Sequence, residues 1–177
     1  MEIKNNGKLL ILRYLLWTVV IAIMVVIFMH SAQNGQQSSE TSGSFLEIIL
    51  SIFVKGFSSM AEAEKLELIN SFQFIVRKFA HFSIYLVLGF FCFLAMNTYN
   101  IFLKFKCGTA LAISLLYAIS DEIHQLFVPE RAGQVRDVLI DFSGALVGVF
   151  IALMLVFITR KIKNWKRGLS REKKTVN

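Results

Sequence analysis

Hydrophobic and polar positions divide the chain into four long apolar stretches, near 9–29, 72–96, 107–128 and 138–159, joined by polar or charged connections. A bilayer hydrocarbon core of about 30 Å takes about 20 helical residues at about 1.5 Å each, so each stretch predicts a membrane-spanning helix. The first contains no Pro or Gly and carries one charge, Arg13, near its edge, where a long side chain snorkels to water. Lys4, Lys8 and Arg13 ahead of an apolar run also imitate a signal peptide. The following His30-Ser31-Ala32 lacks the small residue expected three before a cleavage point, so a retained helix is the reading. Asp121, Glu122, His124 and Asp141 interrupt the third and fourth stretches, and hydropathy alone gives no reason for them.

About forty residues separate the first two stretches. They open with the polar run from Ser31 to Ser39, which predicts a surface turn. Phe45, Leu46, Ile48, Ile49, Ile52, Phe53 and Phe57 then recur at helical spacing and predict an amphipathic helix lying at the membrane interface. The acidic stretch Ala61–Asn70 is too polar for lipid and leads toward the second span. The predicted class is all-α: an integral membrane four-helix bundle with an interfacial amphipathic segment between the first and second spans. It forms one membrane domain, 1–159, followed by a basic tail, 160–177. No repeat of 20–50 residues divides it.

Composition agrees with this class. Apolar residues make up 55% of the 177 and charged residues 18%, against roughly 45–50% and 25% in soluble domains. The net charge of +7 would suit a nucleic-acid binder, until the charges are sorted by side. Thirteen Lys and Arg fall before the first span, between the second and third, and after the fourth, with only Glu2 and Glu172 beside them. The other side holds six basic residues and ten carboxylates, so the sides carry +11 and −4. Basic flanks mark the cytoplasmic side, which places both termini there. The tail from Arg160 reads as an anchor on anionic lipid, at about 1 kcal/mol per basic residue near the surface. It has no aromatic interleaving beyond Trp165, and no nucleic-acid partner is expected. Cys92 and Cys107 show neither disulfide nor metal spacing and predict packing roles.

The candidate chemistry collects where the spans meet the outer face. In the second span, Lys78, His81, Tyr85, Gly89 and Cys92 recur at helical spacing. In the third, Tyr117, Asp121, His124 and Gln125 form one stripe, with Glu122 about 100° away from Asp121. In the fourth, Asp137, Asp141, Gly144 and Gly148 form another, and the glycine pair lets a neighbouring backbone approach, which predicts an interior helix. Alternating topology puts these patches at one depth. His30, Ser31 and Gln33 join them from the first span, and Arg77, Arg131 and Arg136 lie at the same level. A charge near mid-bilayer costs about 2.5–3.5 kcal/mol even on lenient scales, so Asp121, His124 and Asp141 should face protein or water.

At these residues the sequence resembles the VanZ-like family of small bacterial membrane proteins. The matching elements are Phe28-x-x-Ser31-x-Gln33, Arg77-Lys78-x-x-His81, Asp121-Glu122-x-His124-Gln125-x-Phe127-x-Pro129-x-Arg131, and Asp137-x-x-x-Asp141-x-x-Gly144. They run in order from Phe28 to Gly148, and family members often carry Asn where this chain has Asp141. The resemblance implies a multi-pass protein of the bacterial cytoplasmic membrane, linked in some members to resistance against teicoplanin-type glycopeptides. It implies no particular reaction.

Three readings of the constellation stay open. In the first, the pocket binds or acts on an anionic lipid-linked or cell-envelope ligand. Arg77 and Arg131 clamp phosphate or carboxylate, and Lys78 adds a point charge. Gln125, Asp121 and Asp141 complete the binding set, while His81 or His124 serves as acid or base, oriented by Glu122 or Asp137. In the second, a non-catalytic accessory protein binds the glycopeptide or its target, or alters its access to the membrane. In the third the charges are structural, Arg131 pairing with Glu122 or Asp137 and Lys78 or Arg77 with Asp141. Partners are membrane lipids together with the envelope precursor or glycopeptide. Neither metal nor cofactor is expected: His81, His124, Asp121, Glu122, Asp137 and Asp141 are of types that suit a divalent ion, but Glu122 and His124, two apart on a helix, cannot share a centre, and no His-x-x-x-His pair is present.

Overall fold

The computed structural model describes residues 2–175, and their side chains from 7 to 167. The described residues form five α-helices and a short 3-10 turn, Phe57–Ser59, with no strand. The helices are α1 (Glu2–Ser31), α2 (Gly35–Phe53), α3 (Glu62–Asn97), α4 (Leu103–Gln125) and α5 (Val135–Thr175). All but α2 are long and apolar enough to cross a membrane. Their outer faces expose residues such as Ile11, Leu15, Phe79, Leu116 and Phe150, a surface suited to lipid. The last two residues of the tail, and its side chains from 168 on, lie outside the described residues. The helix itself runs through the start of the tail at Arg160 without a break.

The segment between the first two spans is more helical than its polar start predicts. Only Ala32–Asn34 form the turn, and α2 begins at Gly35. Asn34 explains the early start: its side chain accepts from the Gln37 amide at 2.8 Å, and the Gln37 side chain accepts from the Asn34 amide at 3.3 Å. This reciprocal cap satisfies two amides that an open helix end would leave unpaired. Leu46 and Leu50 then bury against Phe57, with Leu68, Ile69 and Val76 of α3 packed beside them. Phe45, Ile48 and Ile52 remain exposed on other faces of α2, and Phe53 is exposed at its last position. At 36 residues α3 is about 54 Å long, well beyond a hydrocarbon core. The acidic stretch Ala61–Asn70 therefore belongs to the same helix as the second apolar stretch, and α2 packs along that end.

Backbone-to-backbone packing joins α3 to α5. A Cβ on Gly144 would meet the Phe82 carbonyl, one on Gly148 the Leu86 carbonyl, and one on Gly89 the Ala145 backbone. Phe82 and Leu86 advance by one turn as Gly144 and Gly148 do, so the two helices run parallel in fixed register. Small residues allow this approach where lipid supplies little hydrophobic drive between helices. The main core gathers Val20 and Ile27 of α1, Tyr85, Leu88 and Phe93 of α3, Ala110 and Ala118 of α4, and Val149 and Ala152 of α5.

At the end of the bundle near the chain termini, Arg13 donates to Thr98 Oγ1 at 3.2 Å and to the Thr98 carbonyl at 3.0 Å, and lies over the Tyr99 ring. Lys106 Nζ donates to the Asn97 carbonyl and side chain, and Arg160 to the Asn97 side chain. Cations at the carboxyl end of α3 oppose its dipole and satisfy its last acceptors.

Candidate functional site

Because α3 and α5 are locked by their glycines, the residues one and two turns before them are locked as well. Lys78 Nζ donates to Asp137 Oδ2 at 2.5 Å, and His81 Nδ1 stands 3.8 Å from Asp141 Oδ1. These two pairs lie just before the Phe82–Gly144 contact on both helices. The lysine and aspartate side chains are 17% and 16% exposed, so the pair is largely removed from water. Lys78→Met strands Asp137 and is expected to cost about 3 kcal/mol, whereas Lys78→Met with Asp137→Leu recovers most of that loss. Thermal unfolding in detergent measures both.

Helix α4 brings its carboxylates to the same level. Gln125 Nε2 donates to Asp121 Oδ2 and Glu122 Oε1, each at 3.3 Å, and Glu122 Oε2 accepts from the Gln134 amide at 2.8 Å. Glu122 thus holds the start of α5 while Asp121 turns inward, the divergence expected of adjacent helical positions. Asp121, Glu122, Gln125 and Asp141 are all buried. His124 stands apart from these bonds: its ring stacks on Phe28 at 4.8 Å between centroids, and its Nε2 is buried without a partner.

The connection from α4 to α5 closes the outer end. Arg131 donates through Nε to the Gln33 carbonyl at 3.2 Å, through Nη2 to the His30 carbonyl at 3.4 Å, and through Nη1 to Gln125 Oε1 at 3.5 Å. One guanidinium therefore ties α1, α4 and the connection together. Beside it Glu130 takes a left-handed backbone, φ 61°, uncommon outside glycine. Its carboxylate accepts from the Gln36 amide at 3.1 Å, and the Pro129 carbonyl accepts from the Gly35 amide at 3.3 Å. The first turn of α2 is thus held over the site by a loop whose Glu130 carried no sequence signal of this role.

Two cavities meet at this point. One, of about 220 Å³, lies between α1, α2 and α3 and is mostly apolar, lined by Ile27, Phe45, Val76 and Ile84 among others. The second, of about 210 Å³, is polar and lies between α3 and the connection, lined by Lys78, Gln125, Gln134 and Asp137 among others. Arg77, His81 and Arg131 line both. Lys78 is in an ion pair, but among the described residues neither Arg77 nor Arg131 forms one. Burial, and then the charge of Arg77, lower the pKa of Arg131, although a guanidinium stays charged.

Of the pairings weighed for structural charges, Lys78 meets Asp137 rather than Asp141, and Arg131 bonds to carbonyls and an amide rather than to Glu122 or Asp137. The carboxylate beside His81 is Asp141, not Glu122 or Asp137. Tyr85 and Ser31 add buried hydroxyls without partners. Both stand in the stripes and motifs of the sequence, but spacing within one helix says nothing about which neighbour faces them.

Comparison with curated proteins and with solved structures returns no match. A family model described as VanZ/LLP1 matches residues 16–157, a range that contains every residue lining the two cavities. The sequence motifs and this match agree, and the chain, a multi-pass membrane protein, belongs to the VanZ/LLP1 family.

Proposed function

We propose that the pocket binds the anionic headgroup of a lipid-linked cell-envelope ligand at the outer leaflet of the bacterial cytoplasmic membrane, and that this binding contributes to resistance against teicoplanin-type glycopeptides. The observation that carries the reading is the pair of guanidinium groups, Arg77 and Arg131, on the wall shared by both cavities with no carboxylate paired to either. A charge held partly out of water needs a counter-charge, and two guanidinium forks match phosphate or carboxylate oxygens. The polar cavity suits the headgroup. The apolar cavity beside it, floored by Ile27, Val76 and Ile84, suits the first part of a lipid chain.

In this reading both termini are cytoplasmic, because the +11 side then faces the cytoplasm. The exposed apolar face of α2 rests in the outer interface and brings the apolar cavity to the lipid surface. His81 lines both cavities with Asp141 behind it, and is the group placed to move a proton if the ligand is turned over.

Cells expressing the chain are expected to be less susceptible to teicoplanin than cells without it. Arg77→Ala and Arg131→Ala should each abolish the difference while the protein remains at its normal level in the membrane. Full protection by both variants would contradict the proposal. Loss of the protein from the membrane in both variants would assign the arginines to the fold instead.

A further inference from the structure

We propose that a first-row divalent metal ion binds between α3, α4 and α5, held by His81, Asp121 and Asp141. One ligand atom from each, the imidazole Nδ1 and two carboxylate oxygens, lies within 4.8 Å of the others. His81 Nδ1 and Asp141 Oδ1 are 3.8 Å apart. A tetrahedral ion with ligands at about 2.1 Å holds them roughly 3.4 Å apart, so modest side-chain rotation closes the set.

The unpartnered groups around it point to a cation. Asp141 is 0% exposed, and neither of its oxygens has a hydrogen-bond partner. The Tyr85 hydroxyl, on a side chain also 0% exposed, is likewise unpartnered. Ser31 Oγ, on a residue 1% exposed, has no hydrogen-bond partner either. Buried polar atoms normally find partners, and Asp141, one of the three clustered ligands, has none on either oxygen.

Charge leads the same way. Lys78 is taken by Asp137 and Arg131 by carbonyls and Gln125, and among the described residues no lysine or arginine lies within 4 Å of Asp121 or Asp141. Two carboxylates behind the cavity wall then need a cation from outside the chain. The nitrogen ligand favours Zn²⁺, the two carboxylates also suit Mn²⁺, and three protein ligands are too few for Ca²⁺, which takes six to eight oxygens. The ion would leave at least one coordination position free. This site shares His81, which lines both cavities, with the anion pocket but uses neither arginine, so metal binding and anion binding are read separately.

The test is metal binding by the full chain, purified in detergent, stripped with chelator and titrated with ZnCl2 and with MnCl2 by calorimetry. The wild type is expected to take up one ion per chain. Asp141→Asn, Asp121→Asn and His81→Ala should each weaken binding by more than the roughly 10–100-fold that outer-sphere changes cost, while His124→Ala retains it. Thermal unfolding without metal shows which variants still fold. The Asp141→Asn change keeps the side-chain shape and serves as the reference should His81→Ala fail to fold. Equal binding by the wild type and Asp141→Asn, or no uptake of either ion by folded wild type, would overturn the proposal.

Discussion

Gly148→Ala is expected to separate α3 from α5 and to lower stability by about 3 kcal/mol, the upper part of the usual range for overpacking a well-filled interface. The added Cβ meets the carbonyl oxygen and carbon of Leu86, and then the Phe90 amide nitrogen at 2.9 Å. These are backbone atoms of a helix, which cannot rotate away as a side chain can. The helices must move apart or slide, and either movement breaks the register that sets Lys78 beside Asp137 and His81 beside Asp141. The loss therefore reaches the site two turns away. Gly108→Ala is the contrasting change: nothing lies within 4 Å of its Cβ, and a mid-helix glycine exchanged for alanine gains about 0.5–1 kcal/mol of helix propensity. Thermal unfolding of the three proteins in one detergent should order them Gly108→Ala, wild type, Gly148→Ala. A Gly148→Ala protein as stable as the wild type would remove the backbone contact from this account.

The four spans were legible because their apolar runs are long, and the interior face of α5 because Gly144 and Gly148 share its stripe with Asp141. The meeting of His81, Asp121 and Asp141 could be anticipated in outline, since ionisable residues inside apolar stretches must turn toward protein or water. Their actual partners could not. Pairing depends on the axial offset between α3 and α5, and within one helix Asp137 and Asp141 are equivalent candidates for Lys78, one turn apart on one face. Only the packing of α5 on α3, with Gly144 between Phe82 and Leu86 and Ala145 against Gly89, decides between them.

The start of α2 teaches a different lesson. Asn34 and Gln37 stand at capping-box spacing, but they sit in a run of Ser, Gln and Gly that reads as a turn, and the local signal was outweighed by composition. A metal-ligand set spread one residue per helix is invisible to a search for ligand spacing along the chain. The six candidate ligands of the sequence include His81, Asp121 and Asp141, but without a His-x-x-x-His pair nothing along the chain singles these three out.

The second large effect concerns the two unpaired guanidiniums. A hydrogen bond to a charged group contributes about 1.5–3 kcal/mol, so removing both arginines should weaken an anionic headgroup by about 3–6 kcal/mol, more than 100-fold in affinity. Arg131→Lys keeps the charge but loses the fork that reaches the His30 and Gln33 carbonyls together, and is expected to retain only part of the affinity. Glycopeptide susceptibility depends on everything between drug and target, whereas binding reads the pocket alone. The deciding measurement is therefore titration of the purified protein in nanodiscs of zwitterionic lipid with undecaprenyl phosphate, wild type against the double variant Arg77→Ala/Arg131→Ala. Saturable binding by the wild type and a loss of more than 100-fold in the folded double variant is the predicted result; equal binding by the two proteins, or no saturable binding by the wild type, would contradict it.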